Sequence, residues 1–371
     1  MQFALNTDQV ILKEAVERFL KERYGAAEAR RYRAEPRGYS AENWRDMAAL
    51  GILGVPFTHA EGGLNGGPWE LITVLELLGR SGAVEPFLEE IAMAAGLLAR
   101  SGRPAQKDEW LPRIIAGEAH VALAHFEQDA RFNLQSVQLR AQSKAGAVWL
   151  EGEKSLVPLA AAADLWIVSA REAGSARDNT GIGFYLVAPS ARGTERRDFR
   201  LADGTIASAV TFRNVATAGR LEGGYPEFEM AVDVARLAAG AEMIGVMSAL
   251  FDSTLDYVRT RKQFGAALSS FQAIQHRLAD LYVLLEQSRS HLYRAALAFY
   301  SPGNFARSVA GMKCYVSRAA VQIGEECVHL HGGIGTTEEL ALGSGYKRLL
   351  VLATLFGDAN AELTRFMRLA S

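Results

Sequence analysis

From Gln272 onward the apolar residues Ile274, Leu278, Leu281, Leu285, Leu292 and Ala295, with Ser288 in register, step along the chain by four and three. That spacing keeps to one face of an α-helix, and a stripe this regular is the seam of a packed bundle. Helical period sets in near Phe228 and persists to the end. The span is too long for one helix, and Gly265, Ser301-Pro302-Gly303 and Gly332-Gly333 break it into about four. A four-helix bundle over 225–371 is the natural arrangement.

The first part also reads as helical. Asn6 with Gln9 suits a capping box, and Val10, Leu12, Ala15, Val16 and Phe19 follow near helical period. Trp44, Met47, Leu50 and Leu53 begin another stripe. Gly62-Gly63-Leu64-Asn65-Gly66-Gly67-Pro68 is a strong turn, followed by a helix from about Glu70 to Gly79. No strand precedes the glycines, so a tight interhelical loop is preferred to a phosphate cradle. Between about Ala119 and Arg220 the texture changes. Val121–Phe126, Val137–Ala141, Val148–Glu151, Leu165–Ala170, Gly183–Val187 and Ala209–Phe212 are short apolar or alternating runs separated by turn residues. They predict a small antiparallel β domain. The expectation is an α+β protein with a helical domain at 1–118, a β domain at 119–224 and a helical bundle at 225–371.

At 371 residues the chain holds two or three packed units. A net charge of −2 gives no nucleic-acid footprint. No apolar run approaches the roughly 18 residues of a membrane span, and the start lacks the pattern of a signal peptide. The two cysteines, Cys314 and Cys327, exclude a disulfide framework. A reducing cytoplasm is the expected compartment. No His, Cys or carboxylate spacing suggests a metal site.

Two segments carry chemistry. Tyr257-Val258-Arg259-Thr260-Arg261-Lys262-Gln263-Phe264-Gly265 reads as a helix end crowded with cations, where unpaired carbonyls and the negative end of the dipole lie. Arg261 offers a planar fork suited to phosphate, and Phe264 a face for a flat ring. The same residues also suit a capped, solvated helix end. His329-Leu330-His331-Gly332-Gly333-Ile334-Gly335 lets a backbone approach an anion closely, or simply closes a helix.

Arg-Lys-Gln-Phe-Gly, six residues, then Phe271-Gln272-Ala273-Ile274-Gln275-His276-Arg277-Leu278-Ala279-Asp280 resembles the signature of the acyl-CoA dehydrogenase family of flavoenzymes. The resemblance runs the length of the chain and implies a β-barrel domain between two helical domains. In the family the Arg-x-x-Phe-Gly segment and a "Q-x-x-GG-x-G" motif hold the ADP half of FAD across a subunit boundary. Arg261, Phe264, Gln272, Gly332 and Gly333 match, while His329 replaces the glutamine.

Other family positions differ. The usual "T-E-P-x-x-G-S-D" aligns with Phe126 to Asn133 and keeps only Glu127, with Phe126 for the threonine and Phe132 for the serine. The usual "K-x-W-I-T-N" aligns with Lys154 to Leu159, losing tryptophan and threonine to Leu156 and Pro158. Acyl-CoA dehydrogenation needs a carboxylate to take the α-proton while a hydride leaves the β-carbon for flavin N5. The two family positions for that base fall on Gly357 and Ala235. Asp358, one residue off, is the candidate base, with Glu242 behind it. Arg131 lies near the expected thioester region, as a surface arginine or as a contact for a distal carboxylate.

Keeping the lent half of a flavin site and losing the reacting half resembles the small subunits of heteromeric family members of the pimeloyl-CoA dehydrogenase type. That implies an α2β2 assembly with a homologous large subunit, FAD, an acyl-CoA substrate and an electron-transferring flavoprotein as acceptor, without nucleic acid or membrane. Two alternatives stay open: a complete homomeric oxidoreductase using Asp358, and a flavin-free scaffold.

Overall fold

The computed structural model describes residues 5–144, 146–301, 303–337 and 340–370. The first four residues of the expected signal-free start, and Pro302 of the expected break, lie outside the described residues. Helices α1 (Thr7–Arg23), α2 (Ala26–Ala34), α3 (Ala41–Ala49), α4 (Pro68–Ser81), α5 (Gly96–Ser101) and α6 (Pro104–Ile115) come first. Strands β1 (Val121–Ala124), β2 (Arg140–Lys144), β3 (Ala147–Pro158), β4 (Leu165–Arg171), β5 (Ile182–Val187), β6 (Thr194–Arg200), β7 (Ile206–Ala216) and β8 (Gly219–Arg220) follow. The rest is α7 (Tyr225–Thr260), a short hairpin of β9 (Lys262–Gln263) and β10 (Ala266–Ala267), then α8 (Gln272–Ala298), α9 (Phe305–His331), α10 (Ala341–Thr354) and α11 (Ala359–Arg368).

The chain forms two compact units that are not continuous in sequence. One comprises Met1–Arg31, Pro68–Ala83 and Arg236–Ser371; the other comprises Tyr32–Gly67 and Val84–Ala235.

The first unit is helical. The Asn6–Gln9 capping box forms as expected, each side chain meeting the other's backbone N–H at 2.9 Å. Glycine sets the closest helix crossing. A Cβ on Gly79 of α4 would lie 2.2 Å from Glu242 O, and one on Gly245 of α7 would lie 2.0 Å from Glu76 O, so the two backbones touch where neither residue carries a side chain. The seam residues Leu278, Leu281, Leu285, Ser288, Leu292 and Ala295 are all buried, as their period predicts. The bundle has a fifth helix, α11 packed on α9, because the chain also breaks after Thr354. By length and composition α7 would cross a membrane, which its sequence did not suggest. Its most apolar window, of mean hydropathy 1.5, is 89% buried inside the molecule, as befits a core helix.

The second unit carries the sheet, in the order β6-β7-β3-β2-β4-β5-β8 with β1 on β4. The sheet expected to be antiparallel is mixed. β1 runs parallel to β4 from Val121/Leu165 to Ala124/Val168, and β2 meets β4 in parallel at Arg140/Arg171. β2 and β3 intervene between β1 and β4, supplying the long connection that parallel pairing requires. A bridge from Phe126 to Leu156 ties the extension of β1 to β3. β6 was not foreseen, since Thr-Glu-Arg-Arg-Asp-Phe-Arg has no apolar alternation. It is a charged edge strand, of the kind that discourages pairing with another chain. Phe87–Ala95 is wound as a π-helix, and its Glu90 is fully buried against His120 Nδ1 (2.8 Å) and Val121 N (3.1 Å) at the start of β1.

Candidate functional site

α7 ends at Thr260 and the chain reverses at once. Gln263 pairs with Ala266, so Phe264 and Gly265 are the central residues of a two-residue hairpin. Both have positive φ, 55° and 81°. This turn geometry favours Asn-Gly or Gly-Gly and is unfavourable for phenylalanine. Phe264 is nevertheless 91% exposed, edge-on to Phe271 at 6.3 Å. A large ring held in a disfavoured conformation and turned to solvent is suited to cover a flat aromatic group from elsewhere. The main chain of Arg261 is pinned to Tyr257 O (2.8 Å) and by Leu268 N (2.9 Å), which leaves its side chain exposed. Gln272 is the exposed first residue of α8, at the positive end of that helix.

α9 ends at His331 and is capped by Gly332 at φ 66°, ψ −146°, a conformation open in practice only to glycine. A Cβ on Gly332 or Gly333 would meet nothing within 4 Å, so their backbone faces open space. Side chains join these segments at one end of the bundle. The Tyr257 ring stacks on His331 at 4.4 Å, and its hydroxyl donates to His331 O at 3.2 Å. Arg277 of α8 donates from Nε to Glu326 Oε2 at 2.8 Å, and its Nη2 lies 2.8 Å from His329 Nδ1. His329, in the place of the family glutamine, is therefore oriented by Arg277, which sequence reasoning had not singled out. Arg261, Phe264, Gln272, Gly332 and Gly333 thus occupy the same end of one unit. Exposed cation, aromatic face, helix start and uncovered glycine backbone fit an adenosine diphosphate group.

The other unit holds the positions aligned with the flavin-ring motifs. The Phe126 carbonyl accepts from Ser155 N (2.8 Å) and Ser155 Oγ (3.2 Å). Arg131 has φ 47° and is exposed, and Phe132 is 37% exposed. Pro158 lies at the end of β3, paired with Ala207. The retained Glu127 accepts from Gln138 N (2.7 Å), Leu139 N (3.1 Å) and Lys154 Nζ (2.7 Å). Lys154 also donates to His125 O (3.2 Å) and Ser169 Oγ (2.9 Å). Burial pushes Lys154 down to about 8, with the Glu127 charge opposing. Burial also holds His125 well below the usual histidine range, reinforced by the Lys154 charge. The pairing of Glu127 with Lys154, and the part of Ser169, only the fold reveals. Glu127 and Lys154 are occupied with each other and with backbone. Positions 126, 132, 156 and 158 offer no side-chain donor to a flavin ring.

The candidate bases are also occupied. Asp358 is the N-cap of α11, its Oδ1 accepting from Ala361 N at 2.7 Å. Glu242 is buried in a two-point pair with Arg348, at 2.7 and 3.1 Å. Ala235 is buried, and Gly357 sits in the turn before α11. Among the described residues no group of three or more His, Cys, Asp or Glu is placed to hold a metal.

Comparison with known proteins gives the family. The acyl-CoA dehydrogenase N-terminal domain matches residues 6–118 and the acyl-CoA dehydrogenase C-terminal domain matches residues 222–369. The chain belongs to the acyl-CoA dehydrogenase family, oxidoreductases that depend on FAD. The mitochondrial isovaleryl-CoA dehydrogenase of Pongo abelii is 27% identical, over 98% of this chain and 88% of its own. The probable acyl-CoA dehydrogenase YngJ of Bacillus subtilis (strain 168) is 26% identical, over 99% of this chain and 98% of its own. Among solved structures, a variant of the Tcur3481-Tcur3483 steroid ACAD is 26% identical at a TM-score of 0.89, covering 98% of this chain and 97% of that one. The FAD complex of PigA is 25% identical at a TM-score of 0.92, covering 99% and 98%.

Proposed function

We propose that this chain is the non-catalytic subunit of a heteromeric acyl-CoA dehydrogenase. It lends the ADP-binding half of an FAD site to a homologous, larger catalytic subunit in an α2β2 assembly. The observation that carries the reading is a contrast. Phe264 is projected into solvent next to Arg261 in sequence, at the end of the unit where α9 closes on Gly332-Gly333, while Asp358, the candidate base, caps a helix. When bound, FAD supplies the hydride acceptor. This chain's Arg261 and glycine backbone would neutralise and bind the pyrophosphate, and Phe264 would cover the adenine. The partner would supply the ring pocket and the carboxylate that takes the α-proton.

The steroid ACAD similar to this chain carries two chain names, which supports a two-chain enzyme acting on an acyl-CoA. A relative in Acetobacterium woodii, 25% identical over 85% of this chain, is subunit CarC of a caffeyl-CoA reductase-Etf complex. It supports an electron-transferring flavoprotein as acceptor. The division at 118 and 224 and a cytoplasmic location, in keeping with the buried, unbridged Cys314 and Cys327, belong to the same reading.

The test is the visible flavin absorbance of this protein purified alone and after co-expression with a homologous partner. A colourless chain that yields a yellow, acyl-CoA-bleachable complex is expected. A chain that is yellow and bleaches alone would overturn the reading.

A further inference from the structure

We infer that Arg277 fixes His329 as the neutral tautomer that carries its proton on Nε2. This position of the half-site is then a donor only, and it serves an oxygen of the cofactor's pyrophosphate. The inference rests on the reading above and deepens it, naming the chemistry that one exposed side chain brings to the ADP group. Arg277 of α8 reaches Glu326 and His329, three residues apart on one face of α9. Its Nε donates to Glu326 Oε2 at 2.8 Å, and its Nη2 donates to the same oxygen and lies 2.8 Å from His329 Nδ1. A guanidinium stays protonated and cannot accept, so Nη2 gives one hydrogen to the carboxylate and the other to the imidazole. Nδ1 is therefore the acceptor and holds no proton, which leaves the ring's one N–H at Nε2. Turning the ring over would set a C–H against the guanidinium and lose the bond.

The last carbonyls of α9 give this end of the helix a negative potential, which repels a pyrophosphate. An anion seated here needs donors that outweigh it. The uncovered backbone of Gly332 and Gly333 follows His329 by one turn. His329 is itself exposed, and among the described residues no protein group meets its Nε2. A glutamine at this position would offer both a donor and an acceptor. The acceptor of His329 is spent on Arg277, and what remains is donation. The Arg277–Glu326 pair is half-buried and adds little to stability as an ion pair. Its effect is orientation: Arg277 is a positioning residue that acts through His329.

The test has two parts. In the chain alone, without FAD, nuclear magnetic resonance of nitrogen-labelled histidine reads the tautomer, with His329 assigned by the signal lost in His329→Gln. A bare Nδ1 and a protonated Nε2 are expected in neutral buffer, and Arg277→Met should mix the two tautomers. A proton on Nδ1, or a spectrum unchanged by Arg277→Met, overturns the inference. In the complex with the partner, fluorescence of FAD released on dilution gives its dissociation constant. His329→Leu, which has no donor, should weaken FAD binding about tenfold or more, as the loss of a hydrogen bond to a charged group implies. His329→Gln, which restores a donor, should stay within about threefold of wild type. His329→Glu, matched to glutamine in shape but an acceptor only, should bind more weakly than either. A His329→Leu or His329→Glu complex that holds FAD like wild type overturns the inference. Melting temperatures should stay near wild type, since His329 is exposed, and they separate lost binding from lost fold. A wild-type complex that holds no FAD would defeat the subunit reading instead, while the histidine spectra, which need no FAD, would still decide the part played by Arg277.

Discussion

Phe264 occupies a turn position that glycine would hold more easily, and the difference separates folding from binding. Phe264→Gly should leave the melting temperature of the chain unchanged or slightly higher, because the strained φ is relieved and little burial is lost. It should weaken FAD retention by the complex by about 1–3 kcal/mol, the range for losing one base–aromatic stack. Fluorescence of FAD released on dilution measures it, and undiminished retention would place the adenine elsewhere. Asp358 poses the converse case. If its carboxylate is a cap, Asp358→Asn keeps most of the stability and Asp358→Ala loses about 1 kcal/mol. Neither should lower acyl-CoA oxidation by the complex. An Asn variant of normal stability that has lost activity would make Asp358 the base after all.

The C-terminal end of α10 is held by the buried Lys313 amine, and its titration gives that element a pH dependence. Burial pushes Lys313 from 10.5 down to about 7, the Glu362 charge opposing. Between those values the unfolded chain binds more protons at this site than the folded chain, so stability rises with pH from about 7 towards 10.5. It falls as pH drops through 7. Lys154, pushed down to about 8, contributes with the same sign. Chemical denaturation of wild type and Lys313→Met across this window isolates the Lys313 part. The advantage of wild type should widen as pH rises, and parallel curves would refute the assignment. In the sheet, Lys154→Met leaves Glu127 buried without its cation, and a loss of about 3–5 kcal/mol is expected.

At the scale of the whole molecule, each compact unit is assembled from separate stretches of chain. Met1–Arg31 and Pro68–Ala83 belong with Arg236–Ser371. A chain stopped after Ala235 keeps α4 but loses most of the unit that buries its Leu71, Ile72, Val74, Leu75 and Leu78. Such a truncation should bind a hydrophobic dye and lose its near-ultraviolet dichroism, as a chain without fixed packing does. Cooperative unfolding of that fragment would show instead that the N-terminal stretches find enough cover without the C-terminal helices.

What can be read from the residues alone is local. The Asn6–Gln9 box, the α8 seam and the glycine cap after His331 depend on neighbours within one helical turn, and all three stand in the structure. The order of residues around Arg261–Phe264 and Gly332–Gly333 likewise carried the family. The partners of polar groups were not legible. Arg348 meets Glu242 across 106 positions, and Glu127 and Lys154 pair across 27. No periodicity encodes such distances. The charged β6 and the parallel β1–β4 pairing also arise from where other strands place an edge, not from the strands' own pattern. The sequence by itself determined the helical ends and the family; only the tertiary structure decided which carboxylates are occupied, because burial brings each its cation or N–H from far along the chain.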